Sequence, residues 1–154
     1  MGIICELYRI SDSEIEELKK IQPEVAEEFL DENYASIYGK YHKENDTVFS
    51  MDKGWAVTRF LIQECDISTN KVLSKLDDQF IKSDDVKLIH KMLELIRIED
   101  LQNVYDQKKL IENNIYRAKY DFYWEYIDNY HLKIYKSGFK RASELNDGIA
   151  INYN

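Results

Sequence analysis

Apolar positions alternate from the start of the chain. In GIICELYRI, Ile3, Cys5 and Leu7 face one way, while Ile4, Tyr8 and Ile10, with Glu6 among them, face the other. A period of two with apolar residues on both faces predicts a strand over 3–9 that is covered on both sides. The period then changes. Ser11 with Glu14 has the form of a capping box, and Ile15, Leu18 and Ile21 recur at helical spacing. Pro23 suits the first turn of a second helix, whose apolar stripe reads Val25, Phe29 and Leu30. TVFS predicts a short strand at 47–50. A helix follows in SMDKGWAVTRFLIQE, with Ser50 or Asp52 as its N-cap. At about 100° per residue, Gly54, Val57, Leu61 and Cys65 share its inner side, Trp55 sits at the edge and Arg59 lies outside. A glycine in that place predicts close approach of another backbone.

A polar connection over 66–82 leads to a helix opened by Ser83 and carrying Val86, Ile89, Met92, Leu93 and Ile96. Residues 98–114 read as one or two short helices. From Tyr116 to Leu145 the pattern predicts a long helix. Its apolar stripe is Tyr116, Tyr120, Tyr123, Ile127, Tyr130 and Ile134, and Gly138 weakens its far end. NDG breaks that helix, and IAINY alternates as a final strand at 148–153. The fold class expected is α+β, one domain over 1–154. A small antiparallel or mixed sheet holds both terminal strands, with 47–50 as a third member. Several helices, including the long C-terminal one, pack on it.

Charge adds an asymmetry. The chain carries 29 acids and 21 bases, a net of −8, and residues 1–46 hold 12 of the acids against 5 of the bases. Much of this acidity falls on the second helix as Glu24, Glu27, Glu28 and Glu32. Such a balance repels phosphate backbones, so no nucleic-acid partner is expected; it suits a basic protein partner, or merely solubility, and a solvated face is the default reading. No run approaches the roughly 20 apolar residues that span a bilayer. MGIICELYRI lacks a basic leader and a cleavage site, and Glu6 departs from the myristoylation pattern. Cys5 and Cys65 make neither a disulfide framework nor a zinc site, which fits reduced thiols and a cytoplasmic setting.

No nucleophile elbow, phosphate loop, dinucleotide fingerprint or paired-histidine metal motif occurs, and neither a cofactor nor a metal is expected. His42, His90 and His131 are far apart in sequence; His131 lies on the core side of its helix and reads as a neutral, hydrogen-bonded core histidine. Cys5 in a strand and Cys65 on a buried helix side do not resemble activated nucleophiles. Lys53 at the positive end of a helix is the one hint of chemistry in DKGW, because its charged form is disfavoured there. Every other residue of that stretch has a packing or capping role, so it reads as scaffold. An alternative grouping places Tyr38, His42, Lys53 and Trp55 around one cleft, that of a small-molecule-binding domain or of an enzyme acting on a small molecule.

Three stretches also carry a resemblance. MGIICELYRIS, FSMDKGWAVTRFLIQE and the closing aromatic helix with DGIAINY resemble the YfbM-like family of bacterial domains of unknown function. The similarity touches both ends and the centre, and departs between Cys65 and Ser83, where relatives often hold a Gly-rich insertion. It implies a small cytosolic α+β domain and brings no reaction, cofactor or catalytic residues. The functional expectation is a non-enzymatic interaction domain working through its acidic N-terminal helices, for instance an immunity-type protein that neutralises a basic toxin.

Overall fold

The two ends of the chain meet in the middle of one sheet. In the computed structural model, which describes residues 2–35 and 47–154, β1 (Cys5–Ile10) pairs antiparallel with β4 (Gly148–Tyr153). Their register sets Cys5 opposite Tyr153 and Ile10 opposite Gly148. β2 (Val48–Met51) lies on the free side of β1, and β3 (Phe80–Ile81) on the free side of β4, giving the order β2-β1-β4-β3, antiparallel throughout. The expected neighbourhood of the terminal strands and the third strand are therefore present.

Helices cover both faces, as the doubly apolar pattern of β1 requires. On one side Cys5, Leu7, Ile149 and Ile151 pack with α3 (Trp55–Glu64), α4 (Ser83–Leu95), α5 (Ile98–Val104), α6 (Gln107–Glu112) and the C-terminal helix. On the other, Tyr8, Ile10 and Ala150 pack with Ile15 and Leu18 of α1 (Asp12–Leu18) and with Ala26 and Leu30 of α2 (Pro23–Leu30). A π-helical turn, Asp31–Ala35, extends α2. Among the described residues no helix is long and apolar enough to cross a membrane.

Several expectations are corrected. α1 stops at Leu18, which leaves Ile21 outside it and 42% exposed. On α2 the sheet takes Ala26 and Leu30, while Val25 is 49% exposed. Hydrophobicity alone favours valine, but the point of closest approach takes the smaller side chain. The C-terminal helix starts at Trp124, not Tyr116. It runs as α7 (Trp124–Tyr126), a π-helical segment (Ile127–Leu132) and α8 (Lys133–Glu144). Asn114 and Arg117 adopt left-handed backbone angles, φ 55° and 65°, which interrupt any helix before Trp124. Its buried residues are Ile127, His131, Leu132, Tyr135, Phe139 and Ala142, whereas Tyr120, Tyr123 and Tyr126 are exposed. Gly138, inside α8, lies close against the sheet: a Cβ there would sit 3.2 Å from Leu7 Cδ1. The polar 66–82 connection is also more ordered than expected. It holds a 3-10 turn (Val72–Asp77) and β3, anchored by buried Leu73 and Leu76.

Gly148, where β4 begins, packs against the backbone of another strand. A Cβ there would lie 2.6 Å from the backbone oxygen of Ile81 and 2.4 Å from Ile15 Cδ1. Backbone cannot rotate away, so Gly148→Ala is expected to cost about 1–3 kcal/mol. Chemical denaturation of both proteins checks it; an unchanged midpoint would contradict the close contact.

Candidate functional site

The four residues of DKGW occupy four different environments. The helix they were expected to begin starts later, because Ser50 and Met51 belong to β2 and α3 opens at Trp55 with Gly54 as N-cap. Asp52 does not cap the helix in the usual way; of the backbone N–H groups at the helix start, its Oδ1 accepts that of Gly54, at 3.4 Å. Trp55 is buried and donates its Nε1–H to the Ile3 carbonyl at 2.9 Å. Its ring packs on Tyr153 and under the Arg59 guanidinium, and Arg59 in turn donates to the Tyr153 hydroxyl at 2.6 Å. Trp55 thus ties the start of the chain to α3. Lys53 is exposed, and its stem lies across Gly2. Tyr38 and His42, the other members of the cleft grouping, lie outside the described residues.

Gly54 does permit a close approach, but the neighbour is an imidazole and not a backbone. A Cβ at Gly54 would stand 2.4 Å from His131 Cε1. His131, 1% exposed, meets Asp52 Oδ1 through Nε2 at 2.6 Å. Tyr126 donates to Asp52 Oδ2 at 2.7 Å and stacks on Tyr130, and both rings stand edge-on to His131. Burial acts to raise the Asp52 pKa, but hydrogen bonds from Tyr126, His131 and Gly54 outweigh it and hold the group below the usual range. Asp52 is therefore an ionised acceptor, which assigns the proton of the neutral imidazole to Nε2. Burial pushes the His131 pKa down, opposed only in part by Asp52. The expectation of a neutral, hydrogen-bonded core histidine is met.

A carboxylate–imidazole pair invites a catalytic reading. In a relay, however, the second ring nitrogen must face a nucleophile or substrate. Among the described residues His131 Nδ1 is instead buried with no hydrogen-bond partner. The pair works as a latch between β2, α3 and the π-helical segment. Cys5 is pushed up to about 12 and Cys65 to about 11, chiefly by burial, so both stay thiols at neutral pH. A second polar cluster lies under α2. There the Tyr8 hydroxyl contacts Glu6 Oε2 (2.6 Å) and Asp31 Oδ1, and Asn152 Nδ2 donates to the Glu27 carbonyl at 3.2 Å. Burial, then those two carboxylates, push the tyrosine pKa well up. Among the described residues no group of three His, Cys, Asp or Glu is arranged to hold a metal.

The acidic residues behave differently, for they are turned outward. Glu24, Glu28 and Glu32 are exposed, and none forms an ion pair among the described residues. Glu27 is half-buried, and its pKa is raised by burial and then by the charges of Glu24 and Asp31. Negative charge thus gathers on this surface without an ion pair among the described residues. Exposed Ile21 and Val25 stand beside it. Lys133, Lys136 and Lys140 line a separate groove along the C-terminal helix, together with Glu94 and Asp128.

The profile of the family described as "Domain of unknown function (DUF1877)" matches residues 1–151. The chain belongs to that family. Among solved structures, the DUF1877 fold described here is similar to "a Protein of Unknown Function YfbM from Escherichia coli". That match has a TM-score of 0.63 and 16% identity, over 98% of this chain and 99% of that one. At this identity the likeness speaks for the fold. No curated protein matches the chain.

Sequence reasoning missed the partnership of Asp52 with Tyr126 and His131, since a regular helix from Tyr116 gives the wrong phase. It also passed over His90, whose Nδ1 lies 3.7 Å from Glu94 Oε1 at a visible i,i+4 spacing. The latch has a pH signature in this DUF1877 domain. The unfolded imidazole titrates near 6.5, about the ordinary value, and the folded one lower. Between those values the unfolded chain binds a proton that the native one refuses. Stability from His131 is then complete above about pH 6.5 and is lost as pH falls through the folded value. The Asp52 contribution is lost lower still, below about pH 4. The urea midpoint should therefore fall between pH 7.5 and pH 5, and His131→Gln should flatten that slope whatever its effect at pH 7.5. A His131→Gln protein with the parent's slope would contradict the assignment.

Proposed function

We propose that this DUF1877 domain is a protein-binding module whose α2 surface captures a basic partner protein in the cytoplasm of a bacterial cell. The observation that carries this reading is the contrast in how acids are used. Asp52, Asp66 and Glu6 are engaged by hydrogen bonds within the fold. Glu24, Glu28 and Glu32 have no ion pair among the described residues and stand exposed around Ile21 and Val25. Val25 and Glu28, three apart, are neighbours on the helix surface, and so are Glu24 and Glu28, four apart. An apolar centre with a charged rim is the usual anatomy of a protein interface. An immunity-type role, in which this surface covers a basic toxin, is one concrete form of the proposal. The free thiols Cys5 and Cys65 suit a reducing compartment.

The test is charge reversal. Changing Glu24, Glu28 and Glu32 together to Lys should leave the fold intact, because exposed substitutions shift stability by about 0.5 kcal/mol or less each. Glu27 is spared, being half-buried. Partner association should slow by about tenfold or more at low salt, and the deficit should shrink as added salt screens charges beyond about 10 Å. Reversing Lys133, Lys136 and Lys140 to Glu, or changing Lys53→Met, should leave association unchanged. A partner bound equally by the Glu→Lys protein at low salt would end this reading, and loss on Lys53→Met alone would favour the cleft.

A further inference from the structure

Across the sheet from α2, the end of α3, the connection after it, and the junction of α4 with α5 enclose an apolar groove of about 550 Å³. Met92, Ile96 and Val104 line it, and Ile67 and Leu95 stand at its mouth, 94% and 77% exposed. Ile67 is held out by a built turn. Next to it, the buried Asp66 carboxylate accepts the Ser68 and Leu73 N–H groups, each at 2.8 Å. Apolar side chains this open, fixed beside an apolar groove, mark an interaction site.

The groove is also electrically one-sided. Its charged lining residues are Glu64 and Asp100, with no lysine or arginine. Glu64 takes Lys109 Nζ at 2.5 Å, while Asp100 meets only the Arg97 N–H at 2.8 Å. Both carboxylates bear on Cys65 inside the groove: its thiol is pushed up first by burial and then by Asp100 and Glu64. An occupant with apolar side chains and a nearby positive charge is the complement of these features. Ile67 and Leu95 project at the mouth and not in the depth, so covering them takes a chain laid across the groove.

We infer that this groove docks an amphipathic helical segment of another protein, whose aliphatic or methionine side chains enter between Ile67 and Leu95 and whose Lys or Arg, one turn away, meets Asp100. The mode is helix-in-groove recognition. It shares no residue with the α2 surface, so either site can fail without the other.

Cys65 supplies the readout. Cys5 is fully buried, so N-ethylmaleimide alkylation of the native protein reports Cys65, and Cys65→Ser should remain unlabelled. The probes are a Leu/Lys helical peptide of about four turns and a Leu/Glu peptide with the same apolar pattern. The Leu/Lys peptide should slow alkylation by about fivefold or more, and the Leu/Glu peptide by less than about twofold. Ile67→Asp and Leu95→Asp, both at exposed positions, should each remove the protection. They add negative charge and leave α2 intact, so non-specific attraction of the Leu/Lys peptide could only increase. Equal protection by the two peptides would overturn the inference, as would protection that survives both Asp variants. Protection by hexyltrimethylammonium as strong as by the peptide would overturn it in favour of a small organic cation. Slowing that rises with the protein's own concentration, with no peptide present, would overturn it in favour of a second copy.

Discussion

Register between the two terminal strands governs which side chain reaches which layer. With Leu7 opposite Ile151 and Tyr8 opposite Ala150, the first pair enters the α3/α8 side and the second the α1/α2 side. A slip of one residue would exchange the two sets, sending Cys5 and Leu7 to helices shaped for Tyr8 and Ile10. Since both faces are covered, neither set has solvent as a refuge. This pairing joins the extremes of the chain, so nearly all the loop-closure entropy of the domain is spent before its contacts form.

Polar contacts hold that register at the sheet's edges. Arg9, on β1, meets Asp147 at 2.7 Å just before β4. Asp12, two residues beyond β1, accepts the Ser83 N–H at 2.8 Å and the Ser83 hydroxyl at 2.5 Å, at the first residue of α4. A carboxylate there satisfies orphan donors and meets the positive end of the helix dipole. Gly148 sits among these groups, with Asp12 Oδ1 3.2 Å from where a Cβ would be. At the other end, Trp55 on the Ile3 carbonyl and Asn154 on the Ile4 N–H and carbonyl close the sheet near the first residues. The strands are thus clamped at both ends by groups whose partners are distant in sequence.

What was legible in the sequence is what depends on local period. β1, β4 and α4 follow from alternation or from i,i+3/i+4 spacing, and the covered state of β1 from apolar residues on both faces. What was not legible depends on a break in period or on a distant partner. The π-helical segment at Ile127–Leu132 shifts the phase of the last helix, so the buried face runs through His131 and Tyr135 and not through Tyr120 and Tyr123. The 3-10 turn after Asp66 hangs on one buried carboxylate, which spacing does not reveal. For Gly54 the need for space was readable, whereas the identity of its neighbour required His131 to be brought from the far end of the chain.

The same distinction bears on function. Residues that look chemical in isolation, Asp52, His131, Trp55 and Tyr8, are consumed by contacts inside the fold. The buried His131 imidazole, held through Nε2 by Asp52, has no hydrogen-bond partner on Nδ1 among the described residues, and its contacts hold the shape of the fold. Residues that look ordinary, such as Val25, Glu28, Ile67 and Leu95, are left without the burial or ion pairing that their chemistry favours. Exposed apolar groups and uncompensated like charges each forgo stabilisation that a small domain of marginal stability could use. On the proposed reading, a surface that retains both, on helices whose inner faces are well packed, would have a partner restore what folding leaves unsatisfied. The two proposed surfaces lie on opposite layers of the sheet, so a basic partner proposed on α2 and a helix proposed in the groove between α3 and α4 would not compete for the same face.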